Sequence, residues 1–391
     1  MRNYFKMLKT VWHRIATLPE ILEKLNYIAL SEKQISERLD CLALSEKQIS
    51  ERLDCLKNKI DSLENKIDVS KDEFIGEVRL LQKSDEIRFW NLYRAEDESD
   101  IETRKRFFSS IPKASEDSGL RLLQLGNALL LKKLSEICVK NNFQYWLQSG
   151  TLLGAVRHKG FVPWDDDTDC AMFREDIEKL RALLRDDKDF CVTLIYDWWA
   201  KSRQIRFRSR DLSIPCFVDI YIYDECENGS DEYWEEQKKL RADLVRKIEE
   251  NTAPEIQYWK EHPYIDEQNE CAPFLENMFN SLRAAAGEKI TASDKKAKSV
   301  CWGLDNFSVG WKRLFEWNFL FPCTKLQYEG NLYNAPKEYY SYIRRQYGDI
   351  WELPRDLISH FHHVSHEELE KDSIKKKIMA FLNVISKNCN S

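Results

Sequence analysis

The chain of 391 residues is 43% hydrophobic and 12% aromatic, enough to bury one large core or two modest ones beside extended helical segments. Its 66 acidic and 60 basic residues are interspersed and leave a formal net charge of -6, without the basic stripe that drives phosphate-backbone binding, so nucleic acid is not an expected partner. Eleven cysteines stand singly with no CxxC pair, which fits a reducing cytoplasm better than a disulfide framework.

Residues 1–17 interleave Arg2, Lys6, Lys9 and Arg14 with Phe5, Leu8, Val11, Trp12 and Ile15, an amphipathic pattern. No apolar run approaches the ~20 residues of a membrane span. The expected location is cytoplasmic. Docking on its own protein is the plain role for 1–17, and peripheral contact with the inner face of the membrane the sharper one. Residues 29–42 and 43–56 are identical, both ALSEKQISERLDCL, and fourteen residues are two heptads. One core position takes Leu18, Leu25, Leu39, Leu53, Ile60 and Ile67, the other Ile21, Ile28, Ile35, Leu42, Ile49, Leu56 and Leu63, with Glu32 and Glu46 weakening the first. The pattern predicts a coiled coil over 18–70. A helix of about 50 residues would be roughly 75 Å long and needs a partner for its seam, so self-association as a parallel dimer or trimer is expected through 18–70.

Residues 71–117 are charged, contain SIPKASEDSG and are expected as a linker. A globular domain is expected over 118–391. Apolar spacing predicts a helix from Leu120 to Val139, then a strand from Phe143 to Leu147, then a helix opened by Ser149-Gly150. Strands are expected at Cys170 to Phe173, Phe190 to Tyr196, Gln204 to Arg210 and Cys216 to Tyr223, with a helix over 174–187 and a mostly helical, polar stretch over 231–300. Alternating strands and helices imply an α/β or α+β sheet domain.

Four carboxylates fall within five positions, Asp165, Asp166, Asp167 and Asp169, and repel one another unless a cation is present. In an extended chain Asp167 and Asp169 point the same way. Asp219, inside the apolar run Phe217-Val218-Asp219-Ile220-Tyr221, is a costly buried charge without a partner. Were the two strands neighbours, these three acids would form a metal and catalytic site for Mg²⁺ or Mn²⁺, suited to phosphoryl or nucleotidyl transfer. Ser149, Gly150 and Thr151 at a helix N-terminus are expected to hold phosphate, with Arg157, His158 and Lys159 adding charge on the same substrate. Trp164 is a wall or a ligand contact.

YWLQSGTLLGAVRHKGFVPWDDDTDCAMF resembles the signature of the LicD family of phosphocholine transferases, related to fukutin and fukutin-related protein within the nucleotidyltransferase-fold superfamily. The stretch Gln327-Tyr328-Glu329-Gly330 through Tyr347-Gly348-Asp349 is similar to that family's closing motif. The resemblance implies an α+β fold with a nucleotidyltransferase-like mixed sheet flanked by helices. It also implies transfer of a phospho-alcohol from a CDP-activated donor to a sugar hydroxyl of a surface glycan, with release of CMP. In its terms Gly150 and Thr151 hold the donor phosphates, Asp167 and Asp169 bind metal, Asp219 completes the site, and Asp165 and Asp166 belong to the signature without an assigned role.

Rival readings are a nucleotidyltransferase that uses a nucleoside triphosphate and releases pyrophosphate, and a non-catalytic coiled-coil scaffold. An EF-hand loop over Asp165, Asp167 and Asp169 fails at Cys170 and Asp176, which stand where glycine and glutamate belong. His360, His362, His363 and His366 read as a solvated helix start in preference to a zinc site.

Overall fold

The computed structural model describes residues 83–226, 229–287, 299–307, 311–353 and 364–388, with scattered positions between 59 and 81. Residues 1–17, the coiled-coil seam and His360, His362 and His363 lie outside the described residues. The chain divides into two compact units, Met1–Leu92 and Tyr93–Ser391. The acidic run and all the described strands belong to the second.

Within the stretch expected as a linker, α1 (Asp100–Ser110) forms behind a reciprocal cap in which the Ser99 side chain accepts from the Glu102 N–H and Glu102 from that of Ser99. Phe108 on this helix is fully buried in the main core, where its ring lies 3.9 Å from the Arg157 guanidinium. The charged composition that suggested a linker belongs to the helix's solvent side. Next, α2 (Gly119–Asn141) is capped by Ser118 and ends at Asn142 in the left-handed region at φ 59. Its Leu122, Leu123, Leu130, Leu131 and Leu134 are buried.

The sheet is mixed. β1 (Tyr145–Leu147) runs antiparallel to β2 (Asp169–Phe173), with α3 (Ser149–Arg157) between them in sequence. After α4 (Arg174–Leu183) come β3 (Phe190–Asp197), β4 (Ser202–Ser209) and β5 (Phe217–Cys226). The segment over 231–300 supplies α5 (Asp231–Glu249), α6 (Pro254–Glu261), the short β6 (Tyr264–Asp266), α7 (Ala272–Gly287) and the start of β7 (Ser299–Trp302). β8 (Leu314–Glu316), α8 (Trp317–Leu320), the hairpin β9 (Thr324–Tyr328) and β10 (Asn331–Ala335), α9 (Tyr339–Tyr347), α10 (His366–Leu369) and α11 (Asp372–Asn388) complete the order. His366 opens α10, capped by Ser365, and is exposed.

The strand order is β1-β2-β5-β4-β3-β6, with β7 joining β5 and β8 joining β7. β2 and β5 pair in parallel, against antiparallel pairing elsewhere among the described strands. This is the expected α+β mixed sheet flanked by helices. Leucines of α2 and Ile378, Phe381 and Ile385 of α11 join the main core. The segment over 231–300 builds a second apolar cluster around Trp198, Trp259, Leu275 and Phe279, which accounts for its apolar residues as packing. No helix of the described residues is long and apolar enough to cross a membrane.

Because Phe108 fills the core from α1, Phe108→Ala should destabilise this unit by about 3–5 kcal/mol. Urea denaturation reads the change; a loss under ~0.5 kcal/mol would place α1 outside the cooperative unit.

Candidate metal and phosphate site

Parallel pairing sets Asp169 directly opposite Asp219. Both side chains therefore rise from the same face of the sheet. Asp167, two residues before β2 in extended chain, joins them, and one carboxylate oxygen from each of the three lies within 4.8 Å of the others. Asp165, Asp166 and Asp167 make a second such group sharing Asp167. The two differ in surroundings. Asp165, Asp167 and Asp169 line a cavity of about 700 Å³, whereas the fully buried Asp166 turns its Oδ2 to accept the Val364 N–H at 3.3 Å.

The local chain explains how so much charge is held. β1 ends at Leu147, Gln148 is the N-cap residue of the next helix, and Ser149 takes a positive φ of 47°, turning the chain sharply into α3. The Asp169 N–H donates to Thr151 Oγ1 at 2.7 Å, and the Gly150 N–H donates to the Asp169 carboxylate. The start of α3, read from sequence as a phosphate cradle, thus lies against the central acid. Its dipole favours that negative charge. Gly150 admits Asp165, whose Oδ2 would stand 2.5 Å from any added Cβ. At Gly154 a Cβ would meet the Gly160 carbonyl at 2.3 Å, so only glycine lets the 158–163 loop fold back on the helix.

Side chains with no motif of their own fix the acidic backbone. Gln124 Nε2 donates to the Asp165 carbonyl at 2.9 Å and Asn127 Nδ2 to that of Asp166 at 3.0 Å. They stand three apart on α2 and therefore share a face. Glu329 holds the loop from the other side. It accepts from Phe161 N–H, its own N–H donates to the Lys159 carbonyl, and it pairs with buried Arg121 at 2.9 Å. Burial raises the Glu329 carboxyl, but the Arg121 hydrogen bond and charge outweigh it and hold it below the usual value. Arg206, opposite Asp219 on β4, donates to Asp219 Oδ1 at 2.8 Å.

Of the other residues singled out from sequence, Ser149, Arg157 and Trp164 line the cavity. Arg157 is turned into the protein, where Nη1 donates to the Ile350 carbonyl at 3.1 Å and burial lowers its pKa to about 10. His158 and Lys159 are not among the lining residues. Burial, then the Arg157 charge, push His158 down to about 4, so it is neutral at pH 7 beside Phe108. Lys159 is exposed in the left-handed region at φ 54 and serves the loop through its carbonyl. The far wall comes from the closing motif. Gln346, Tyr347, Gly348 and Asp349 line the cavity, with Gly348 at φ 74 ending α9 as its C-cap. Tyr347 is 43% exposed, yet burial, then the charges of Asp169, Asp165 and Asp167, push its hydroxyl well above the ordinary phenol.

Burial, then Asp167 and Asp219, raise the Asp169 carboxyl well above its ordinary value. Asp169 is buried, and its Oδ1 has no hydrogen-bond partner among the described residues. A buried, partnerless carboxylate oxygen facing two further carboxylates fits a hard divalent cation, and an all-oxygen set suits Mg²⁺ or Mn²⁺.

Residues 142–262 match the family model described as LicD/FKTN/FKRP, nucleotidyltransferase domain. The chain carries a LicD-family domain. A protein of Rickettsia prowazekii is 42% identical over 111 residues, 28% of this chain and 37% of its own length. The lipopolysaccharide cholinephosphotransferase LicD of Haemophilus influenzae is 24% identical over 269 residues, 63% of this chain and 96% of its own length. The human ribitol 5-phosphate transferase FKRP is 49% identical over 41 residues, 10% of this chain and 8% of its own length. Coverage of these relatives thus ranges from a short segment to almost the whole protein. The LicD domain holds Asp167, Asp169 and Asp219, while Glu329 and Tyr347 lie beyond the matched residues.

A cation at the three acids competes with the proton for Asp169, whose proton affinity burial and its acidic neighbours raise. Since this folded pKa is raised above 3.8, the charged form costs stability above the unfolded pKa, and the metal-free fold gains stability as pH falls through the raised value. Mg²⁺ or Mn²⁺ should therefore bind with proton release and weaken with falling pH, and Asp169→Asn should abolish binding without lowering metal-free stability. Calorimetry in two buffers of different ionisation enthalpy tests this; binding without proton release would contradict it. Glu329→Ala, which leaves buried Arg121 only the exposed Glu116 at 3.8 Å as a charged partner, should cost about 3 kcal/mol in urea unfolding.

Proposed function

We propose that this LicD domain transfers a phospho-alcohol, phosphocholine or a close relative, from a CDP-activated donor to a sugar hydroxyl of a surface glycan, releasing CMP. The observation that carries the reading is the Asp167, Asp169 and Asp219 trio, of which Asp167 and Asp169 line a cavity large enough for a nucleotide-linked donor. The names of the cholinephosphotransferase and ribitol 5-phosphate transferase relatives support a phospho-alcohol as the transferred group.

In this reading Asp167, Asp169 and Asp219 hold Mg²⁺ or Mn²⁺. When bound, such an ion supplies charge neutralisation for the donor phosphates and the departing CMP. The start of α3 aims Asp169 through Gly150 and Thr151, and Arg206 holds Asp219 in register. Tyr347 keeps its hydroxyl proton at neutral pH and offers it to an anionic oxygen in the cavity. Trp164 and Leu153 narrow the space around the reacting group, limiting access of water that would hydrolyse the donor.

Incubation with CDP-choline, CDP-ribitol and CDP-glycerol plus Mg²⁺ and candidate glycans should release CMP with at least one donor. The double substitution Asp167→Asn, Asp169→Asn should cut the rate at least about 100-fold, or ~2.7 kcal/mol in barrier. Pyrophosphate release from a nucleoside triphosphate, with no CMP from any CDP-alcohol, would replace this reading with the nucleotidyltransferase one.

A further inference from the structure

A second cavity, of about 500 Å³, shares Arg157 as a wall with the acidic one. Its chemistry is different. No carboxylate lines it; Lys105 and Arg106 of α1 face Tyr339, Tyr340 and Trp351 across it. Arg106 is already bound by Glu98 at 2.7 Å. Lys105 instead sits 5.8 Å from the Trp351 ring centroid, and among the described residues no carboxylate pairs with it within 4 Å. Tyr340 is 39% exposed although it belongs to the aromatic wall. The shared Arg157, only 8% exposed, has a buried Nε without a hydrogen-bond partner among the described residues.

These features narrow the occupant. Aromatic faces take the apolar face of a ring whose edge carries hydroxyls, and a cation above them adds an anionic requirement. A cavity without carboxylates and with a net positive wall disfavours a cationic alcohol such as choline. Its common wall with the acidic cavity places the occupant beside the donor, where an attacking hydroxyl must be.

Resting on the transferase reading, we propose that the second cavity is the acceptor site and that the acceptor is an acidic saccharide. Its phosphate or carboxylate pairs with Lys105 and its ring packs on Tyr340 and Trp351. Arg157 forms the partition between acceptor and donor.

Ligand-observed saturation-transfer NMR on the full chain, without donor or divalent ion, tests this with N-acetylglucosamine 6-phosphate against neutral N-acetylglucosamine. The phosphorylated sugar should bind more tightly. Lys105→Gln should weaken it about tenfold and erase the preference, and Tyr340→Ala should weaken both sugars. Circular dichroism of the variants should match the parent, since both side chains reach solvent. Binding of neither sugar, unchanged binding in both variants, or loss of CMP binding in the variants would overturn the acceptor assignment. Donor cleavage is read separately as metal-dependent CMP release. Cleavage with unaltered sugar binding in the variants sinks the acceptor site alone, and sugar binding without cleavage sinks the transferase reading alone.

Discussion

The constraint on which the rest of the site depends is the cost of gathering carboxylates in a place water scarcely reaches. Asp165, Asp166, Asp169 and Asp219 are all less than a tenth exposed, and like charges so close raise one another's proton affinity. The fold meets that cost with unlike devices. A helix N-terminus and a backbone N–H face Asp169, a guanidinium meets Asp219, and a backbone N–H reaches Asp166. None of them satisfies the unpaired oxygen of Asp169, and that oxygen is what the proposed cation would meet.

The sheet's topology follows from the same requirement. An antiparallel neighbour would also bring two acids together, but parallel pairing of β2 and β5 lets both strands enter the sheet from the same end. Asp169 then begins its strand level with Asp219 near the start of the other. The apolar residues beyond them, Cys170 to Phe173 and Ile220 to Tyr223, run together into the core. One end of the pair is thus chemistry and the other is packing. The hairpin of β9 and β10 supplies the counterpart, since Glu329 at its turn ties the loop carrying the acids to α2 through Arg121.

Two cavities of opposite character meet at Arg157. Its guanidinium is committed to the Ile350 carbonyl and the face of Phe108, which makes it a rigid partition more than a mobile ligand. The negative cavity suits a cation with its phosphates, and the positive aromatic one suits an anionic ring. On the proposed transferase reading, this one fixed side chain separates donor from acceptor while leaving them adjacent.

Much of this was legible in the chain itself. Periodicity identified α2, α3 and strands β1 to β5 within a few residues of their ends, because apolar spacing records which face each element buries. The density of Asp165 to Asp169 and the lone charge of Asp219 marked the acids, and the glycine turn marked the start of α3. The charged sequence of 71–117 hid α1, because its two buried residues, Thr103 and Phe108, leave no periodic apolar stripe. Gln124 and Asn127 looked like ordinary polar positions on a buried helix. His158 and Lys159 looked like phosphate ligands because they stand between two motifs, yet the loop's return on Gly154 takes them out of the cavity. By itself the sequence determined the residue types and the local elements, since both are set by neighbours in the chain. Only the tertiary structure decided that Asp169 faces Asp219 across fifty residues, that α3 turns its Gly150 N–H onto an acid, and that Tyr347 closes the far wall, because register and packing join segments whose spacing carries no signal.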